Sequence, residues 1–282
     1  MTEDQAAGLR RMFVRRRAGM ASFAGGAANC GSTSLVLATA QALVEAGERV
    51  TVIDEHQGSG SISTRLGVTT RFDLLQAVNR DAGLALVRRR ASNGVAVVAA
   101  ARLAALGDGL TRLQVHALNE LLDEIYSQSD WVLVDAAASR AGMSPLARRA
   151  QRWIISTNST GPSLTGAYAL VKRASNETSV GVAVRRNRNG LEGTRIYTQL
   201  AEVAQAHLGR MPEWLGEMPA PPQWCEPGPL RSAGDTNVHV RAMGEKLMAW
   251  LDMRGDKARP AVESAGQVTV DYLVQQFRMN QP

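Results

Sequence analysis

The chain has 282 residues, 45% of them hydrophobic and 21% charged, an ordinary globular profile with enough length to bury one sizeable core. No run approaches ~18 apolar residues, which excludes a membrane-spanning helix. Two cysteines (Cys30, Cys225) and four scattered histidines, with no C-x-x-C pair, argue against a disulfide framework or a structural zinc site and fit a reducing compartment.

Residues 1–17 read as a short polar arm with a helical fragment. Part of the net charge of +6 gathers there, in Arg10-Arg11 and Arg15-Arg16-Arg17. Such an arm suits an acidic partner, nucleic acid or an anionic membrane, or is simply solvated. The start, Met-Thr-Glu-Asp, lacks the basic-then-apolar pattern of a signal peptide, so a cytoplasmic location is expected. From residue 20 the chain alternates apolar runs with helical patterns. Met20–Phe23 is followed by the loop 26–33 and a helix from Thr33 to Ala46 that stops near Gly47. Arg49–Asp54 is a β-branched run closed by an acid, and Gly94–Ala99 is a second run. Leu110–Ser127 predicts a helix with Leu113, Val115, Leu118, Leu121, Leu122 and Ile125 mostly at helical spacing. Trp131–Asp135 again ends in an acid. Trp153–Thr157, a helix at 163–174, Val180–Val184 and a helix at 193–208 complete the alternation. Runs this continuously apolar suit strands covered on both faces by helices. The fold class is therefore α/β, a doubly wound and mostly parallel sheet, in one domain over 18–251. A linker over 252–266 and an amphipathic helix within 267–282 follow.

The loop Gly26-Ala27-Ala28-Asn29-Cys30-Gly31-Ser32-Thr33 has the spacing of G-x-x-x-x-G-K-[ST] with serine in the lysine's place. Loops of this kind hold phosphate through backbone N–H groups and a helix N-terminus. Ser32 supplies no charge, although Thr33 retains a hydroxyl for Mg²⁺. The lost lysine removes charge-assisted hydrogen bonds worth about 1.5–3 kcal/mol each, so weakened ATP binding is expected. A loop that only turns the chain from strand to helix is the competing reading. Asp135 and Asp54 would lie with this loop at the carboxyl ends of the strands, where ligands of such sheets bind; solvated strand ends are the plain alternative.

These blocks, with Asp4-Gln5-Ala6-Ala7-Gly8-Leu9-Arg10 ahead of them, resemble the MinD/ParA class of deviant Walker ATPases. Within it, the chain is similar to the FlhG (FleN) family of MinD-like regulators of flagellar number and placement. The N-terminal block matches the D-Q-A-x-x-L-R activator motif of that family. Val52-Ile53-Asp54 with Gly58, Val132–Asp135 and Ala167–Lys172 match in order. The resemblance implies a P-loop NTPase (SIMIBI, MinD-like) architecture and nucleotide contacts from Gly26, Asn29, Gly31, Ser32, Thr33, Ser34, Asp54 and Asp135. The metal would be Mg²⁺ on Thr33.

Several matched positions depart from the family pattern. Ala27 stands for the signature lysine and Ser32 for the Walker lysine. His56 stands for the switch I acid, Arg185 for the adenine-reading asparagine, and Asp135-Ala136-Ala137-Ala138-Ser139 lacks the switch II glycine. The resemblance thus implies a pseudo-ATPase: ATP and Mg²⁺ held weakly if at all, Asp54 and Asp135 as remnants, and a homodimer only if nucleotide binds. The implied partner is an FlhF-type GTPase, with Gln5 orienting water or positioning backbone and Arg10 acting as an electrostatic clamp. Asp4, Ala6, Leu9, Met12 and Phe13 would complete that contact. A flagellar switch or a transcription activator are further implied partners; nucleic acid is not expected. Val270, Leu273, Val274 and Phe277 share one face of the tail helix, which resembles a membrane-targeting helix but carries few cations, so only weak peripheral contact is expected. An atypical working MinD/ParA-type ATPase, and a cellulose-synthesis or pilus-assembly accessory protein, remain open as alternatives.

Overall fold

Apolar β-branched runs bounded by turns become the strands of one eight-stranded sheet. The structure, a computed structural model, describes residues 18–137, 142–185, 193–218 and 238–252. The strands are β1 (Gly19–Gly25), β2 (Val50–Asp54), β3 (Arg88–Arg90), β4 (Ala96–Ala99), β5 (Trp131–Asp135), β6 (Arg152–Thr157), β7 (Ser179–Arg185) and β8 (Glu213–Met218). Their order across the sheet is β3-β4-β2-β5-β1-β6-β7-β8. Every neighbouring pair is parallel except β3 with β4. The expected doubly wound, mostly parallel sheet is therefore present.

Nine α-helices join the described strands. They are α1 (Ser32–Glu45), α2 (Ile62–Arg65), α3 (Leu74–Val78), α4 (Leu84–Val87), α5 (Ala101–Ala105), α6 (Arg112–Ser127), α7 (Gly161–Arg173), α8 (Gly193–Leu208) and α9 (Val238–Asp252). Helix α1 packs on β1, β2 and β5, α7 on β6, and α8 on β7 and β8. Strand residues of both parities are buried, Phe23, Leu133 and Ile154 as completely as Ile53, Val134 and Ile155, so both sheet faces are covered. Helix α6 is capped by Thr111, whose hydroxyl closes a capping box with Gln114. It buries Leu118, Leu122 and Ile125 as expected. Leu113, on the first turn of α6, does not join them: it is 83% exposed. The described residues up to Met248 form one compact unit; of the second, Ala249–Pro282, only the end of α9 is described. The activator arm and the tail helix lie outside the described residues.

Candidate functional site

The loop and both acids meet at the carboxyl ends of the central strands. β1 runs in register with β5, pairing Phe23 with Asp135, and β2 with β5, pairing Asp54 with Asp135. The two acids thus stand side by side, one strand apart, beside the point where β1 feeds the loop.

The loop is held in shape by the chain itself. The Gly26 N–H donates to the Ser156 carbonyl at 2.8 Å, which ties the end of β1 to β6. Gly26 lies against α7 so closely that a Cβ on Gly166 would overlap the Gly26 carbonyl, and one on Gly26 would strike the α7 backbone. Glycine at 26 is thus required by helix packing. Asn29 (φ 61°) and Gly31 (φ 94°) both adopt left-handed backbone, the conformation that asparagine and glycine tolerate best. The buried Cys30 Sγ lies 2.9 Å from the Ser163 hydroxyl, which also reaches Thr157 Oγ1 at 2.9 Å and accepts from the Asn158 N–H at 3.0 Å. Gly31 caps α1 without a side-chain hydrogen bond. The first amides of a helix lack intrahelical acceptors, so the turn keeps the general form of an anion cradle.

The acidic side is more crowded than the sequence suggests. Asp54 is 1% exposed. One of its oxygens accepts from the His56 N–H at 3.1 Å; the other accepts from the Ser63 N–H and hydroxyl, both at 3.0 Å. Burial, opposed by these donors, raises its pKa. Asp135 is fully buried, and neither carboxylate oxygen has a hydrogen-bond partner. Burial first, then the Asp54 charge, push its pKa up to about 8. The nearby Thr33 hydroxyl and Arg65 guanidinium pull the other way, and Thr33 does so without closing a full hydrogen bond. His56 Nε2 stands 3.6 Å from Asp135 Oδ1. Neither acid is a solvated strand end.

A third carboxyl, Glu55, belongs to the site without a sequence pattern to mark it. It is 3% exposed, accepts from the Ser144 hydroxyl at 2.5 Å and from the Ala137 N–H at 3.1 Å, and burial raises its pKa to about 7. An Asp-Glu-His run after a strand reads as a polar loop, and no local signal shows that Ser144 will cover it. Arg65, Ser63 and Ser163 likewise carry no local sequence signal; Arg65 donates to Ser34 Oγ at 3.1 Å.

On the other side of the loop stand the ends of β7 and β8. The Arg185 guanidinium donates to the Asn29 carbonyl. A Cβ on Gly31 would lie 3.0 Å from the Met218 methyl and 3.7 Å from Arg185 Cδ. The arginine at the expected asparagine position therefore contacts the loop directly. Ser32 opens α1 and brings no charge to it.

The structure thus brings together Gly26, Asn29, Gly31, Ser32, Thr33, Ser34, Asp54 and Asp135. It leaves Asp4, Gln5, Ala6, Leu9, Arg10, Met12, Phe13, Val270, Leu273, Val274 and Phe277 outside the described residues, with Ala138 and Ser139 of the segment after Asp135. No group of three or more acidic, histidine or cysteine side chains is arranged to hold a metal among the described residues. Thr33 and Asp135, whose oxygens lack a hydrogen-bond partner, are the residues that could hold a magnesium ion accompanying a nucleotide. No described helix is long and apolar enough to cross a membrane.

No family model matches the chain. The antiactivator FleN of Pseudomonas aeruginosa is 26% identical over 199 residues, which span 69% of this chain and 71% of that protein. The MinC:MinD cell division complex of Aquifex aeolicus superposes with a TM-score of 0.61 at 17% identity, over 86% of this chain and 98% of its own. The septum site-determining protein MinD of Pyrococcus horikoshii, complexed with Mg-ADP, superposes with a TM-score of 0.59 at 17% identity, over 86% of this chain and 100% of its own. The structural likenesses show the P-loop NTPase fold of the MinD/ParA class. Together with FleN they bear out the resemblance to the MinD-like class that includes FlhG and FleN.

Proposed function

We propose that this chain is a MinD-like regulator of flagellar number and placement that acts on a signal-recognition-type GTPase of the FlhF kind, and that its own ATP chemistry is weakened or lost. The observation that carries the reading is the block Asp4–Arg10 standing ahead of a MinD-type fold in a chain similar to FleN. Gln5 would orient water or backbone in the GTPase site, Arg10 would offset transition-state charge, and Leu9 with Met12 and Phe13 would dock the arm. The loop supports the second half of the reading. It has no lysine, and the acids beside it are buried with nothing in the loop to neutralise them. If nucleotide does bind, Thr33 and Asp135 would hold its magnesium, which would offset phosphate charge in the lysine's stead. A homodimer and a peripheral membrane contact through the tail would depend on that binding.

The test is GTP turnover by an FlhF-type GTPase with the full chain added. The rate should rise, and Gln5→Ala should remove most of the rise. No rise, or an undiminished rise with the variant, would refute the GTPase role. The name of the relative, an antiactivator, favours a second reading: the chain binds and restrains a transcription activator of flagellar genes. Co-purification with such an activator, together with a silent GTPase assay, would support it.

A further inference from the structure

We propose that Arg185 and Met218 close the base side of the loop from within, so that an adenine nucleotide is shut out while the phosphate turn itself is kept. The proposal rests on the reading of a weakened ATP site and names what weakens it besides the missing lysine.

A nucleotide that set its phosphates on the first amides of α1 would have to lead its sugar and base out along the carboxyl ends of the strands. Two ways out exist, one on each side of β1. Towards β5 and β2 stand three buried carboxyl groups, Asp135, Asp54 and Glu55, with the Arg65 guanidinium as the cation beside them. Towards β7 and β8, two side chains lie against the loop. Arg185, the last residue of β7, reaches across to the Asn29 carbonyl, and Met218, the last residue of β8, rests on the face of Gly31. A Cβ on Gly31 would lie 3.0 Å from the Met218 methyl and 3.7 Å from Arg185 Cδ, so these two side chains occupy the space over that face of the loop. The bond from Arg185 spans 156 residues of sequence and is charge-assisted, the stronger kind of hydrogen bond. Arg185 makes no ion pair among the described residues, so the loop carbonyl is the group its charge answers.

The readout is the ratio of affinities for ATP and inorganic pyrophosphate, each titrated calorimetrically into the full chain with magnesium. Pyrophosphate has no base and needs only the turn. With the base side closed, the wild type should bind pyrophosphate more tightly than ATP. In Arg185→Ala/Met218→Ala the ratio should move towards ATP by about tenfold, as expected for a lock closed about nine-tenths of the time. Arg185→Met keeps an apolar stem over Gly31 but cannot bond to Asn29; it should give part of the gain, and it decides the matter if the double variant does not fold. Faster amide exchange at Ala28–Thr33 in either variant should accompany it. A ratio that does not move, or a variant that binds neither ligand, overturns the lock alone. Tight ATP binding by the wild type overturns both the lock and the weakened site.

Discussion

A carboxylate sealed from water and left without donors is held in its charged form only at a cost, and Asp135 is such a group. Its pKa is raised from an ordinary 3.8 to about 8, and that of Glu55 from 4.5 to about 7. Between those limits the folded chain binds more protons than the unfolded chain. Stability from these two groups is therefore fully present at low pH, declines as pH rises from about 4, and is gone above about 8. Urea melts at pH 6 and pH 9 should show the chain less stable at pH 9. Asp135→Asn should flatten that difference and add on the order of 1–3 kcal/mol at pH 9. A wild type more stable at pH 9, or a variant weakened there, would contradict the account. Asp54 and Asp135 were legible in the sequence because each closes an apolar strand beside the loop. Glu55 was not: its burial depends on Ser144, 89 residues away, which no local pattern announces.

At the scale of elements, long β-branched runs and amphipathic helices announced themselves, because their periods are set by the backbone. Strand β3 did not, since Arg88-Arg89-Arg90 reads as a solvated charge run. It becomes a strand by pairing with Val97 and Val98 of β4 at the sheet edge, and Arg88 reaches inward to Gln128 and Thr51. Strand β8 was missed too, because Glu213-Trp214-Leu215-Gly216-Glu217-Met218 has no clean alternation and bulges in its pairing with β7. The junction between the loop and α7 offers a sharp test. Alanine in place of a helical glycine ordinarily stabilises by up to about 1 kcal/mol. Gly166→Ala should instead destabilise by about 1–3 kcal/mol, because its methyl would overlap the Gly26 carbonyl. Gly161→Ala, at the open start of the same helix, should be neutral or slightly stabilising, since nothing lies within 4 Å. Equal melting temperatures for the two would mean that the loop does not rest on α7 as described.

For the whole described unit, the strand order puts β1 between β5 and β6 at the middle of the sheet and β3 and β8 at its edges. Protection of backbone amides from exchange should therefore fall outward from β1 and β5 towards β3, since edge strands open with less of the core. Native-state hydrogen exchange measures this directly, and a β3 as protected as β1 would show that the edge is covered by something else. The same interior also contains a sentinel. Cys30 is 1% exposed, and its sulfur is packed against the Ser163 hydroxyl, so a maleimide cannot reach it while the turn holds. Its labelling rate, read on the peptide that carries Cys30 so that Cys225 does not contribute, becomes a clock for how often the loop swings away from α7, with any ligand and without altering a single residue.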